Sequence, residues 1–114
     1  MSFALTPHRM AALYGLLRDL PPFSRWGLPV ADSVEFRASK RCDVYGEHFH
    51  RKGRHVVLVS TDNNGHFNSV ACTLAHEMIH VAQVVAGERT THGKGFDRRA
   101  QAVGRHFGWD WRAL

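Results

Sequence analysis

The chain has 114 residues, 44% of them hydrophobic and 22% charged, which is the size and balance of one ordinary globular domain with a real core. Twelve Arg against three Lys leave a net charge of +5, which suits phosphate or nucleic-acid contact and equally a soluble enzyme with a basic surface. The two cysteines, Cys42 and Cys72, exclude a disulfide framework and a four-Cys zinc ribbon; with no signal-peptide pattern and no apolar run near the length of a membrane span, the expectation is an intracellular, cytoplasmic protein with no membrane partner.

Thr6-Pro7 reads as a helix N-cap followed by proline at the first helical position, with Met10, Leu13, Leu17 and Leu20 as the apolar face and Pro21-Pro22 as the stop. Phe23 and Trp26 follow in a connector as core plugs. Val34, Phe36 and Ala38 alternate with Glu35, Arg37 and Ser39 in a first strand with one wet face. Residues 44–50 form a second strand, with Tyr45 and Phe49 on one face and His48 and His50 on the other. Val56-Val57-Leu58-Val59 is a continuous apolar run and the most buried strand, joined to the second by the basic hairpin tip Arg51-Lys52-Gly53-Arg54. A three-stranded antiparallel sheet is the simplest arrangement. After the turn-rich residues 60–67, Asn68 or Ser69 can cap a central helix that runs to Ala86 and stops at Gly87, with Cys72 as a small buried hydrophobe in it. A last helix opens after His92-Gly93 and carries the core stripe Phe96, Ala100, Val103 and Phe107. Without repeats, low-complexity segments or linkers, the chain reads as one α+β domain over residues 1–114, with three main helices and a small sheet.

The central helix contains His76-Glu77-Met78-Ile79-His80. Residues four apart share a helix face, so both imidazoles can point at one spot and supply two nitrogen ligands to zinc. Glu77 lies about 100° round the helix from His76, where a carboxylate can reach a water without binding the metal. A metal acidifies water, the carboxylate takes its proton, and the resulting nucleophile attacks a carbonyl. With 9 His and 4 Glu in the chain, the five-residue pattern arises by chance at about 0.02, so its helical setting and a third ligand have to carry the reading.

A catalytic zinc site takes three protein ligands. The metzincin spacing would require Gly at position 83 and His at position 86, where this chain has Gln83 and Ala86. Glu88 comes too soon after the helix stop for the chain to fold back easily. His92 follows a Gly-containing turn and opens the next helix, which can bring a ligand back to the first. His76-Glu77-Met78-Ile79-His80, a short turn, and then His92-Gly93-Lys94-Gly95-Phe96 leading into an amphipathic helix resemble the SprT-like metallopeptidase domain of Spartan-type proteases, which degrade DNA–protein crosslinks. The element order is similar over most of the chain, while residues 75–96 carry the specific motif. The resemblance implies a minimal zincin-like fold, with Zn2+ on His76, His80 and His92 and Glu77 as general base. It also implies that Gly93 permits a tight turn and that Phe96 anchors the ligand helix. The four-Cys ribbon and the long tails of larger family members have no counterpart here.

Three functional expectations follow. The first is a zinc endopeptidase acting on protein or peptide, with the substrate strand along the sheet edge. The second ties that activity to DNA through the hairpin tip and a basic stripe of Lys94, Arg98, Arg99 and Arg105. The third is a zinc-stabilised nucleic-acid-binding or interaction module without peptidase activity, for which His66 is the nearby residue able to close a fourth coordination position. His66 could alternatively line the cleft, His48 and His50 could sit near its rim, and Tyr45 could stabilise an oxyanion. The sequence leaves oligomeric state open.

Overall fold

The computed structural model describes residues 4–114. The first helix, α1 (Pro7–Arg18), opens as its sequence dictates: the Thr6 side chain accepts from the Arg9 N–H at 3.1 Å, and Pro7 occupies the first turn. Met10, Leu13 and Leu17 are buried, and Leu20 lies beyond the helix end, half-buried. Tyr14 joins them, fully buried, because its hydroxyl finds a partner in the Pro29 carbonyl at 2.6 Å. Phe23 is fully buried and Trp26 packs partly buried against the core.

Three strands follow: β1 (Val34–Ser39), β2 (Gly46–Arg51) and β3 (Arg54–Ser60). The sheet order is β1-β3-β2, with β2 antiparallel to β3 and β1 parallel to it. The sheet is therefore mixed, not purely antiparallel. The reason is burial. The apolar run Val56–Val59 is stablest in the centre with a neighbour on each side, so residues 40–45 cross the end of β3 and deliver β2 to the far edge. That crossing is held by hydrogen bonds: Ser60 Oγ–H donates to Arg41 O, Thr61 N–H to Ser39 O at 2.6 Å, and Asn63 Nδ2 to Cys42 O at 3.1 Å and Val44 O at 2.7 Å. The tip between β2 and β3 is a two-residue turn with Lys52 at φ 53° and Gly53 at φ 76°, the left-handed pair that matches strand twist. On the outer face Phe49 stands opposite Val56, with the Arg37 and Arg51 guanidinium groups each 5.7 Å from its ring centre.

Two longer helices follow, α2 (Phe67–Val85) and α3 (Lys94–Phe107), and after them a short 3-10 turn at Trp111–Ala113. The cap of α2 is His66 rather than Asn68 or Ser69; the Ser69 hydroxyl closes back on it, donating to His66 O at 2.9 Å. Ala86 caps the other end and Gly87 follows at φ 75°. Along α2, Val70, Leu74, Met78, Ile79 and Val81 are fully buried, and the helix lies across the inner face of the sheet, touching β2, β3, α1 and α3. Phe96, Ala100 and Val103 of α3 are buried and Phe107 is half-buried. Cys72 is half-exposed rather than buried, because it faces a cavity described below. Among the described residues no helix is long and apolar enough to cross a membrane.

Candidate metal centre

The pattern of α2 places His76 and His80 on one face one turn apart, and the loop before α3 returns His92 to the same point. His92 Nε2 stands 3.1 Å from His80 Nε2 and 3.3 Å from His76 Nε2. One ligand-type nitrogen from each of the three lies within 4.8 Å of the others, a spacing that could hold a metal ion. Phe96 forms the floor: its ring is 3% exposed and its centre lies 4.9, 5.1 and 4.9 Å from those of His76, His80 and His92. Gly93 caps α3 at φ −86°, an ordinary value, so the turn after His92 does not depend on glycine's left-handed freedom.

The donor set fits a cation. His80 Nδ1 is 2.8 Å from Gln83 Oε1, and Gln83 Nε2 donates to Thr91 O at 2.9 Å. That second bond identifies the amide atom facing His80 as the oxygen, an acceptor. His80 therefore carries its proton on Nδ1 and turns a bare Nε2 lone pair towards the other two rings. Burial, then the neighbouring His80 and His92, push the His76 pKa down to about 4; burial also lowers that of His80. Imidazoles this reluctant to take a proton present free lone pairs at neutral pH, as metal ligation requires.

Glu77 is 4% exposed and its Oε2 lies 4.0 Å from His76 Nε2. Desolvation, with the Glu47 charge second, raises its pKa to about 8. It sits where β2 begins, and Gly46 makes room for it. A Cβ on Gly46 would fall 2.7 Å from Thr73 Cγ2, 2.9 Å from Glu77 Oε2 and 3.0 Å from Leu58 O. The opposite wall is β2, from which His48 faces His80 with ring centres 6.1 Å apart. His48 Nε2 in turn meets His55 Nδ1 at 2.9 Å, and His50 lies beside His55.

A model of the SprT-like family matches residues 30–112. The chain belongs to the SprT-like family. No curated protein matches it. Membership makes this a metallopeptidase-like domain, and the family match spans the strands, α2 and α3 while leaving α1 outside. In this SprT-like chain the loop that carries His92 is held from two sides. Gln83 grips Thr91, and Arg99 of α3 forms a two-pronged pair with Glu88 at 2.7 and 2.9 Å while lying over Trp26.

Several other residues singled out by the sequence lie away from this centre. His66 is exposed at the start of α2, about 15 Å along the helix from His76 at the standard rise, and is not one of the three grouped histidines. Arg99 leaves the basic stripe for its pair with Glu88, while Lys94, Arg98 and Arg105 are exposed. Tyr45 lies just before β2, with its ring at the mouth of the cavity that Glu77 also lines. Gln83, Gly46 and Asn64 escaped the sequence reading. Gln83 alone left a signal, as a polar residue within the apolar stretch Val81-Ala82-Gln83-Val84-Val85, three positions after His80.

Proposed function

We propose that the chain is a zinc-dependent endopeptidase, with His76, His80 and His92 holding the metal and Glu77 as general base. The observation that carries this reading is the convergence of three imidazole nitrogens on one point beside a buried carboxylate. Zinc there would polarise the scissile carbonyl and let a water lose its proton near neutral pH. Glu77 takes that proton and passes it to the leaving amine; its buried carboxylate lies 4.0 Å from His76 Nε2, beside the point on which the three imidazoles converge. The outer edge of β2 borders the cleft, with Gly46, Glu47 and His48 among its lining residues, so an extended polypeptide can add to that edge through main-chain hydrogen bonds. Among the described residues the group holds these three histidines and no fourth donor of its kind, the ligand count of a catalytic rather than a structural zinc site.

The test is metal content and casein hydrolysis on one purified sample, wild type beside Glu77→Gln. One equivalent of zinc with cleavage lost in the variant is the expected result. Zinc with no cleavage of any polypeptide would favour the binding-module reading instead. We further propose that DNA-associated proteins are substrates, on the strength of the exposed Lys94, Arg98 and Arg105 and of the exposed hairpin tip. Binding to single-stranded DNA that weakens steeply with salt is expected; no binding at low ionic strength removes this extension.

A further inference from the structure

A cavity of about 580 Å3 opens on the side of Glu77 and His76 that faces the start of α2. Its walls include Val44, Tyr45, Cys72 and Thr73. This is the size of a ligand-binding cleft rather than a packing defect. Four uncharged polar side chains also line it, and each is already committed within the protein. Asn64 Nδ2 donates to Tyr45 O at 2.9 Å and Ser60 O at 2.8 Å, and its Oδ1 accepts from Thr73 Oγ1 at 2.7 Å. Asn68 Oδ1 accepts from Trp109 Nε1 at 3.1 Å, and the Ser69 hydroxyl is tied to His66. Besides the Tyr45 phenol and the Cys72 thiol, the ionisable side chains among its lining residues are Glu77 and His76, at the end next to the metal centre, where the backbone of Leu114, also in the wall, bonds to His76. Burial raises the Cys72 pKa, so that thiol stays neutral. At the mouth stands Tyr45, whose aromatic side chain is 68% exposed although it is large and apolar.

We propose that this cavity is the specificity pocket of the peptidase: it takes a large, uncharged apolar side chain (Leu, Met or Phe) of the polypeptide residue flanking the scissile bond. Cys72 and Thr73 set its depth, and Tyr45 closes over the guest. The proposal rests on the peptidase reading. The continuity of the cavity with Glu77 supplies the link: a chain placed for attack beside Glu77 must send a neighbouring side chain either into this space or into solvent. A charged side chain entering it would leave water and find no free partner of opposite sign away from the metal centre. An apolar one gains from burial in proportion to its area.

Two measurements test it and separate its failure from that of the peptidase reading. The first is cleavage of a mixed peptide library by the zinc-loaded protein, read by mass spectrometry. One position beside the cleaved bond should favour Leu, Met and Phe over Asp, Lys and Gly by about tenfold or more, the scale expected of a pocket that rejects charge. Cys72→Phe, which shortens the pocket, should lose about tenfold on the bulky residues and keep Ala and Gly within about threefold. Tyr45→Ala, at an exposed position where folding is little affected, should raise KM for the bulky residues with kcat nearly unchanged. No preference in the wild type, or the same preference in Cys72→Phe, overturns the proposal. The second needs no turnover: site-resolved alkylation of Cys72 in Glu77→Gln, with exposed Cys42 as the internal control. A peptide with Leu at the favoured position should slow labelling of Cys72 and spare Cys42, while its Asp counterpart should slow neither. Equal labelling with all peptides overturns the pocket even where cleavage is seen, and protection by the Leu peptide upholds it even where none is.

Discussion

At the scale of single residues, Gln83 does the quietest work in the site. It is 1% exposed and fixes both the proton on His80 and the position of Thr91, next to His92. Gln83→Leu keeps the volume and removes both bonds, so metal affinity should fall about 10- to 100-fold, the usual loss when a ligand's outer hydrogen bond is removed. Titration against a chromogenic chelator measures it, and an unchanged affinity would show that His80 needs no such support. Glu77 makes the opposite kind of prediction. Without metal its folded pKa is about 8 against 4.5 for the free group, so between those values the unfolded chain binds fewer protons and stability falls as pH rises. Glu77→Gln should therefore stabilise the metal-free protein at pH 7 by on the order of 2–3 kcal/mol, a Tm rise on the order of 10 °C. At pH 4 the difference should vanish. The histidines act at the other end. His48 and His76 have folded pKa values of about 4 against 6.5 unfolded, so the stability they allow is whole above about 6.5 and is lost as pH falls towards 4. Thermal melts of the metal-free protein across pH 4–8 should thus show a maximum between these two penalties.

At the scale of elements, the site is a helix set against a strand edge, and Gly46 is the hinge of that contact. Gly46→Ala forces Thr73, Glu77 or the β3 backbone to shift. It should cost about 1–3 kcal/mol of stability and lower kcat while leaving zinc stoichiometry at one, because the ligands lie on α2 and the loop beyond it. Tm, metal content and kcat on one preparation check this; an unchanged kcat would mean that Glu77 tolerates the intrusion. The elements themselves were legible because their signals are local. Thr6-Pro7 specifies the start of α1, Lys52-Gly53 the hairpin turn and Gly87 the end of α2, each by its own backbone chemistry. The parallel pairing of β1 was not legible, since strand order depends on which strand most needs two neighbours. The cap of α2 was misplaced because Asn68 and Ser69 are both good caps in isolation, and only the tertiary path of residues 60–66 selects His66.

At the scale of the whole molecule, the candidate site divides by the same logic. His76 and His80 follow from helical spacing and His92 from a motif, so the grouping of these three histidines could be read from the chain. Gln83, Asn64 and the Glu88–Arg99 pair act across folded distance and leave almost no linear trace. Those long-range contacts tie α2 to α3 beside the metal centre. Removing metal with a chelator should lower the unfolding free energy by RT ln(1 + c/Kd), c being the free-metal concentration used, with a matching fall in Tm, and should raise amide exchange most in residues 86–94. Uniform exchange across the molecule would instead show that the ion braces the entire core.

His92 is exposed and carried by a loop, whereas His76 and His80 are built into a long helix. The three proposed ligands are therefore unequally anchored. On the zinc-site reading proposed above, His92 is the ligand expected to leave first, so loss of the ion should pass through this loop. The Arg99–Glu88 pair, braced on Trp26, ties that loop to α3. Arg99→Ala should quicken zinc loss to a competing chelator in stopped-flow traces, so residence of the metal, and with it the working lifetime of the protein in a zinc-poor setting, is governed by a side chain that never approaches the ion.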